Sequence, residues 1–319
     1  MHISSRRRFV GFAAATALST AFGPVAGAQT NDDADGEFDG LEPLAPMPAT
    51  FTPGLSAGDY RPTQNFGSQP PPPVYMGIAE IILKSAPVRC RPFDVARYFS
   101  DVRMGEIPAN TLDTLERYLR RQDRSDLFTI DFLKLFAYDW EQNNYYNPVV
   151  VQFITGIRQR PYAGDLTPWC AAFMNWCISR SQASNPDYVS FSGTLLARGT
   201  RSASSGSFRC YGEETEEPRE GDIVVWAKMG TEAQTCPVNL NNAQGHVGFF
   251  VSAVPRRDRP PAYRVLGGNQ GFTGARPNST TSEVSQNDVA QAVSYRTIGK
   301  RFLDRTFHSV RTNSLLRGA

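Results

Sequence analysis

One stretch, residues 167–177 (TPWCAAFMNWC), constrains the fold most, because it combines the signals of a helix start with a candidate nucleophile. Thr167 is a good N-cap, since its hydroxyl can accept a hydrogen bond from an unpaired backbone N–H, and Pro168 suits the first helical position. The sequence therefore predicts a buried helix with Cys170 in its first turn. Three residues recur at helical spacing and indicate the inward face of that helix: Phe173, Trp176 and Cys177.

The position of Cys170 at a helix start favours a reactive thiol. The unpaired N–H groups and the helix dipole at that end stabilise negative charge, so the thiol is shifted towards thiolate, the nucleophilic form. A buried structural cysteine beside a core tryptophan is the alternative interpretation of this residue taken alone. The residues that follow downstream favour the reactive thiol.

From residue 75 onwards, helical patterns come first and strand patterns follow, while residues 149–153 fit either state. This order predicts an α+β domain with helices packed on an antiparallel sheet. The helical patterns lie at residues 77–83, 92–99, 111–119 and 131–140. The strand patterns lie at residues 223–226, 245–251, 263–266 and 292–298, after a Ser/Gly-rich loop at residues 199–212.

Of the three histidines, only His246 lies in a core-like element, at the start of an apolar strand. A histidine is the usual partner that activates a thiol, either by taking its proton or by holding it as an ion pair. Alternation along the strand places His246, Gly248 and Phe250 on one face, and the glycines leave room for another chain or a ligand. A histidine satisfied within the core is the alternative.

A cysteine–histidine pair also needs a third group that fixes the imidazole tautomer. Asn269 is the first candidate, because it ends the next strand after two glycines and its amide oxygen could accept a hydrogen bond from the ring. Gln270, which alternation points to the other face, is the second candidate. Turn chemistry alone would also explain residues 267–269.

Four motifs in order resemble the CHAP-type branch of the papain-like cysteine peptidases and amidases. They are PWCAAF at residues 168–173, PREGDIV at 218–224, GHVGF at 245–249 and LGGNQ at 266–270. The resemblance covers roughly residues 145–270. Four motifs in the family's order are far more specific than any one of them.

The resemblance implies a papain-like fold and a cysteine hydrolase of amide bonds, typically those of peptidoglycan. By this resemblance Cys170 is the nucleophile, His246 the general base and Asn269 the orienting residue. The backbone N–H of Cys170 would be among the donors to the oxyanion. Three further residues are expected beside the site: Asp165, Trp169 and Gln270.

Five cysteines is an odd number, which in an exported chain suggests one free reactive thiol. With Cys170 reserved for that role, the other four allow three pairings. Cys177 lies about 10 Å from Cys170 along the helix, which is beyond the reach of a disulfide. We expect Cys210 to pair with Cys236, and Cys90 with Cys177. Free buried thiols are the alternative, because a domain of this size can be stable without disulfide bonds.

Residues 1–28 have the features of a twin-arginine signal peptide: an arginine triplet, an Ala/Gly-rich apolar stretch and a small-residue cleavage site. Cleavage would leave 30 basic against 31 acidic residues and change the formal net charge from +2 to −1. Residues 29–74 are acidic and then proline-rich, which predicts a disordered linker before a hydrolase domain at residues 75–319. The sequence therefore predicts a periplasmic or secreted protein.

Composition excludes several classes of partner. No basic stripe with interleaved aromatics predicts nucleic-acid binding, and no further apolar stretch predicts a membrane span. One core cysteine and one core histidine are too few ligands for a closed zinc site, so we expect no metal and no cofactor. The expected partner of this monomer is peptidoglycan, or another peptide or amide substrate.

Three functions fit these observations. The first is an exported peptidoglycan hydrolase, either an N-acetylmuramoyl-L-alanine amidase or an endopeptidase that cuts peptide crosslinks. The second is a catalytically silent wall-binding module that kept the fold, although a binder needs no Cys-His-Asn set. The third is a secreted cysteine hydrolase or transamidase that acts on a protein or a small amide.

Overall fold

The computed structural model describes residues 70–140, 145–161, 164–233, 245–257, 259–271, 291–302 and 305–318. All of them belong to one of the chain's two compact units, residues 31–319. The predicted signal peptide, residues 29–69 of the predicted linker, and Cys236 lie outside the described residues. None of the described helices is long and apolar enough to cross a membrane.

The helices come first along the chain and the strands follow, as the sequence predicts. Residues 149–153, which fit either state, form a helix, because the Asn147 side chain caps its start and Pro148 occupies its first position. The helices before the sheet are α1 (Pro73–Ser85), α2 (Pro92–Met104), α3 (Ala109–Arg121), α4 (Ile130–Lys134), α5 (Pro148–Thr155), α6 (Cys170–Ser181) and α7 (Gly193–Ala197).

The strands form one antiparallel sheet, which confirms the predicted α+β class with helices packed on a sheet. The strands are β1 (Glu213–Glu214), β2 (Ile223–Lys228), β3 (Gly245–Arg256), β4 (Arg259–Gly271), β5 (Gln291–Ile298), β6 (Arg301–Phe302) and β7 (Arg305–Thr312). Their order across the sheet is β1-β7-β2-β3-β4-β5, and β6 pairs with β7. A short helix, α8 (Ser314–Arg317), follows the last strand.

Strand β7 is absent from the sequence prediction, which places only residues 292–298 in a strand near the chain end. In the structure β7 pairs with β2 from Arg305 to Arg311, and β1 pairs on its other side. Its sequence, RTFHSVRT, mixes two large apolar residues with arginine, threonine and serine, so it carries no strong strand pattern. Pairing with a buried neighbour determines this strand more than its own propensity does.

Helix α6 lies at the centre of the domain, and all twelve of its residues are buried. Aromatic rings surround it: Phe99 of α2 meets Trp176 with ring centroids 5.5 Å apart, and Phe153 of α5 meets Phe173 at 5.0 Å. The sequence indicated a single inward face. A helix that is covered on every side instead lies inside a core.

The predicted N-cap of α6 is wrong by two residues. The helix begins at Cys170, and Trp169, with φ −124° and ψ 12°, is its N-cap. Thr167 closes the preceding short 3₁₀ turn instead, because its backbone N–H donates to the Gly164 carbonyl at 3.4 Å. The prediction that Cys170 lies in the first turn is confirmed, since it is the first helical residue.

The sheet separates two apolar clusters. Val247 and Phe249 of β3 face the helices, and the Phe249 ring meets that of Phe93 on α2 edge-on at 6.1 Å. The opposite face carries a second, smaller cluster: Val224, Trp226, Phe250, Val265, Ile298 and Val310. Side chains on β3 therefore alternate between the two faces, as a strand requires.

The C-terminal end of α6 is held by a buried arginine. The Arg180 guanidinium donates to the carbonyls of Lys84 and Ala86 at the end of α1, and to those of Pro186 and Tyr188. Burial lowers the pKa of Arg180 to about 10, so the side chain remains charged at neutral pH. These hydrogen bonds satisfy carbonyls that the end of α1 and the adjoining loop leave unpaired.

The aspartate of the PREGDIV motif ties the chain end to the sheet. Asp222 is fully buried and accepts hydrogen bonds from the Thr312 hydroxyl, at 2.5 Å, and from the Arg317 guanidinium, at 3.0 and 3.2 Å. It also accepts the backbone N–H of Arg219 at 2.8 Å. The motif therefore has a structural role: it anchors β7 and α8 beside β2.

The predicted disulfide between Cys90 and Cys177 is wrong, because both thiols are free. The backbone N–H of Cys90 donates to the carbonyl of Ser181 at 3.2 Å. The two thiols are nevertheless close enough for Cys90 to add to the rise in the Cys177 pKa that burial causes. Cys210 is disulfide-bonded. Its predicted partner, Cys236, lies outside the described residues, so that pairing stays a prediction.

We predict that Arg180→Met lowers the free energy of unfolding by about 3 kcal/mol, because four carbonyls at the end of α1 and in the adjoining loop lose a charged donor. Urea denaturation followed by tryptophan fluorescence measures this change. Arg121→Met is the matched control, since Arg121 is exposed at the end of α3. Equal losses of stability in the two variants would contradict the structural role of Arg180.

Candidate active site

Cys170 lies at the first position of α6 and is 3 % exposed. The backbone N–H groups of a first helical turn have no carbonyl partner within the helix, and they carry the positive end of its dipole. Both effects stabilise a thiolate, and the same N–H groups can donate to an oxyanion. The position therefore suits a nucleophile.

The start of α6 rests directly on strand β4. A Cβ at Gly268 would lie 2.5 Å from Cζ3 of Trp169 and 2.8 Å from Cβ of Phe173, so only glycine fits at this contact. Trp169, expected beside the site, is fully buried and stacks on Phe153 at 5.9 Å. The second glycine of the LGGNQ motif thus allows the cysteine helix to approach the end of the strand.

His246 is the second residue of β3, and its side chain is 4 % exposed. It pairs in register with Trp226 of β2, and the two ring centroids are 6.2 Å apart. The imidazole therefore lies on the sheet face that carries Trp226, while α6 covers the other face. Because β3 and β4 are antiparallel, His246 and Gly268 lie at the same end of the sheet.

Gln270, and not only Asn269, belongs to this end of β4. The amide nitrogen of Gln270 lies 3.2 Å from Nε2 of His246, and Gln270 is 1 % exposed. Simple alternation along the strand predicts that Gln270 points to the opposite face from Asn269. The structure departs from alternation here, because Asn269 has a left-handed φ of 53° and the pairing of β4 with β5 shifts register between Gly267 and Gln270.

The imidazole of His246 is held in its neutral form. Burial lowers its pKa to about 3, and the positive charges of Arg305 on β7 and Arg296 on β5 act in the same direction. At neutral pH the free ring is therefore uncharged, and its surroundings oppose the uptake of a second proton. A preformed ion pair between a thiolate and a protonated His246 is therefore disfavoured in the free protein.

Asp165 supports the segments that precede α6. Its carboxylate accepts the backbone N–H of Trp140 at 2.6 Å and that of Asn147 at 2.8 Å. Asn147 in turn donates from its side chain to the carbonyls of Leu135, Phe136 and Tyr138. The contacts of Asp165 identify it as an organiser of the backbone around α5, a role that sequence spacing alone could not reveal.

The Ser/Gly-rich loop is attached to α6 through one amide side chain. Asn175 is fully buried, donates to the Ser202 carbonyl at 2.8 Å and accepts the backbone N–H of Thr200 at 2.7 Å. The predicted loop also contains a 3₁₀ helix, Ser205–Cys210. Within the described ranges, no group of three or more His, Cys, Asp or Glu side chains is arranged to hold a metal ion.

A family model for the CHAP domain matches residues 162–269. The match includes Cys170, His246 and Asn269, and it ends one residue before Gln270. Comparisons with curated proteins and with solved structures gave no match. The matched segment covers α6, α7 and β1 to β3, and most of β4.

We predict that His246 makes the stability of the protein depend on pH. The unfolded chain binds a proton at His246 near pH 6.5 and the folded chain only near pH 3, so the unfolded state binds more protons between these values. The free energy of unfolding should therefore fall as the pH is lowered from about 6.5 towards about 3. Above about pH 6.5 the contribution of the neutral His246 ring to the free energy of unfolding is fully present.

Urea titrations of the wild type and of His246→Asn at about pH 5 and about pH 7.5 test this dependence. The wild type should lose more stability between the two conditions than the variant, which lacks the titrating ring. Equal losses in both proteins would contradict the inference that the buried imidazole is neutral.

Proposed function

Because this chain carries a CHAP-type domain at residues 162–269, as its four motifs predict, we propose that it hydrolyses amide bonds in peptidoglycan. The domain family supports a cysteine- and histidine-dependent amidohydrolase or peptidase. The finer assignment is either an N-acetylmuramoyl-L-alanine amidase or an endopeptidase that cuts peptide crosslinks. The observation that carries it is a thiol at the first position of a buried helix, whose start packs on β4 at Gly268, at the same end of the sheet as His246.

The environments of the free cysteines single out Cys170. Burial raises the pKa of Cys177 well above its ordinary value, inside the core. Burial and the Asp94 carboxylate raise the pKa of Cys90 to about 11. Both thiols are therefore protonated and weakly nucleophilic at neutral pH. Cys170 alone among these three lies at the N-terminus of a helix.

The proposed reaction proceeds through a thioester. His246 takes the thiol proton while the Cys170 sulfur attacks the amide carbonyl, and the N–H groups of the first turn of α6 hold the resulting oxyanion. His246 then gives that proton to the leaving amine as the carbon–nitrogen bond breaks. Water, deprotonated by the same ring, attacks the thioester, releases the carboxylic acid and restores the thiol.

We propose that this reaction takes place outside the cytoplasm. The support is the twin-arginine pattern within residues 1–28, followed by a cleavage site at Ala28. Peptidoglycan lies in that compartment. Sizing of the protein recovered from a periplasmic or culture fraction tests the placement, and retention of the full-length chain in the cytoplasm would contradict it.

We predict that the chain from Gln29 onwards releases stem peptides or trimmed muropeptides from purified peptidoglycan, whereas its Cys170→Ala variant does not. Removing the nucleophile should reduce the rate by about 1,000-fold or more. Mass spectrometry of the soluble fragments measures release, and the fragment masses identify the bond that is cut. Cys90→Ala is the matched control, because it removes a thiol far from the start of α6 and should leave the activity unchanged.

Two results would contradict parts of this proposal. If the wild type is inert on peptidoglycan but Cys170 still reacts with an electrophilic probe, the substrate is another protein or amide. If the wild type releases no fragments and Cys170 does not react with the probe, the domain is catalytically silent, as the wall-binding alternative requires. Iodoacetamide labelling of the folded protein at neutral pH, followed by peptide mapping, separates these cases, since only Cys170 should be modified rapidly.

A further inference from the structure

We propose that Gln270, rather than Asn269, positions His246, and that its amide oxygen accepts the Nε2–H of the ring so that Nδ1 takes the thiol proton. This inference rests on the proposed function, because it specifies how the imidazole serves as the base. It assigns Gln270 a positioning role, since the side chain acts through His246.

The contact itself is buried and close. The end of the Gln270 side chain lies 3.2 Å from Nε2 of His246, and both residues are at least 96 % buried. Water does not compete for a hydrogen bond at such a depth, so the amide determines what this ring nitrogen can do. With Nε2 taken by Gln270, Nδ1 is the ring nitrogen left to take up a proton.

Two glycines on neighbouring strands provide the space for this amide. A Cβ at Gly267 would lie 2.5 Å from the amide nitrogen of Gln270, and a Cβ at Gly248 would lie 3.3 Å from it. Gly267 belongs to β4 and Gly248 to β3, so the amide lies across the strand pair in a slot that side chains at these positions would narrow. The slot explains why glycine occurs two residues after His246 and directly before Gly268.

The backbone at Asn269 delivers Gln270 into the slot. A left-handed φ of 53° at Asn269, together with the register shift that follows Gly267, turns the next side chain towards the imidazole. Asparagine tolerates this conformation better than most residues. The structure thus gives Asn269 a backbone role and Gln270 the contact with the ring.

The chemistry of a base fixes which amide atom must face the ring. A neutral imidazole that accepts a proton at Nδ1 carries its own proton at Nε2, and after the transfer both ring nitrogens carry protons. Only an acceptor can pair with Nε2–H in either state. Before any rotation of the amide, Oε1 of Gln270 is buried and has no hydrogen-bond partner in the described part of the chain. Rotation of the terminal amide by 180° exchanges its oxygen and nitrogen and places Oε1 against Nε2 of His246.

The other charged groups that act on the ring are Arg305 of β7 and Arg296 of β5, and both oppose a positive charge on the imidazole. A neutral amide acceptor offsets that opposition only in part. A carboxylate at the same place would offset more of it, which provides a test through the pH profile.

The experiment compares Gln270→Met, Gln270→Glu and Asn269→Gly in the chain from Gln29, using the rate of Cys170 alkylation by iodoacetamide as a function of pH. Gln270→Met should slow alkylation at neutral pH by about 10- to 100-fold, as expected when a group that orients a histidine is lost. Gln270→Glu should restore the rate and move the acid limb of the profile to higher pH. Asn269→Gly keeps the left-handed backbone and should stay within about two-fold of the wild type.

A second variant separates positioning from folding. Gly267→Ala introduces a methyl group against the flexible end of Gln270, so it should displace the amide and reproduce the slow alkylation of Gln270→Met in a folded protein. Gly268→Ala provides the contrasting variant at the next position. Its methyl group meets the Trp169 ring and the Phe173 Cβ, so it should destabilise the fold. Urea denaturation verifies that Gly267→Ala remains folded.

The tautomer gives a readout that needs no substrate. Nitrogen-15 NMR of the His246 ring should show the proton on Nε2 in the wild type, and loss of that preference in Gln270→Met. A proton on Nδ1 in the wild type would overturn the proposal, as would slow alkylation in Asn269→Gly with normal alkylation in Gln270→Met. If the wild type leaves peptidoglycan intact, the proposed substrate fails, while these measurements still decide the role of Gln270.

Discussion

The close contact between the start of α6 and strand β4 is the constraint on which the rest of the domain depends. It exists because Gly268 has no side chain, so the Trp169 ring and Phe173 can lie against the strand backbone. Helix α6 is buried along its whole length, and small errors at its start would be transmitted to every contact around it. Arg180 at one end and Asn175 in the middle then fix the helix to α1 and to the Ser/Gly-rich loop.

The motifs of the sequence combine reactive and structural roles. Cys170 and His246 supply the chemistry that the proposed reaction needs, whereas Asp222 and Gly268 hold the pieces in place. The family model matches residues 162–269, yet the core also includes residues before and after this segment. Phe93 of α2 packs against β3, and β7 adds a strand next to β2, so the matched segment depends on residues outside it.

Local patterns in the sequence predicted the elements whose residues carry their own signal. The helix that contains Cys170, the strands around His246 and the α+β order all follow from periodicity and from helix-start residues. The same reasoning missed β7, because its few apolar residues are stabilised by a neighbour that lies far away in the chain. It also paired Cys90 with Cys177, since an even number of remaining cysteines cannot show that two of them stay free. Gln270 was assigned to the wrong face because alternation assumes a regular strand, and one left-handed residue reverses it.

The position of β7 has a consequence for the order in which the protein assembles. This strand follows β1 to β6 in sequence, yet it lies inside the sheet between β1 and β2. Pairings between segments that are distant in sequence form slowly, because the loop that joins them must first be closed. The sheet cannot be completed until residues 305–312 are available, so the surroundings of Cys170 and His246 are completed after those residues have paired. A chain that stops before Arg305 would thus carry Cys170 and His246 in a sheet that lacks the strand next to β2.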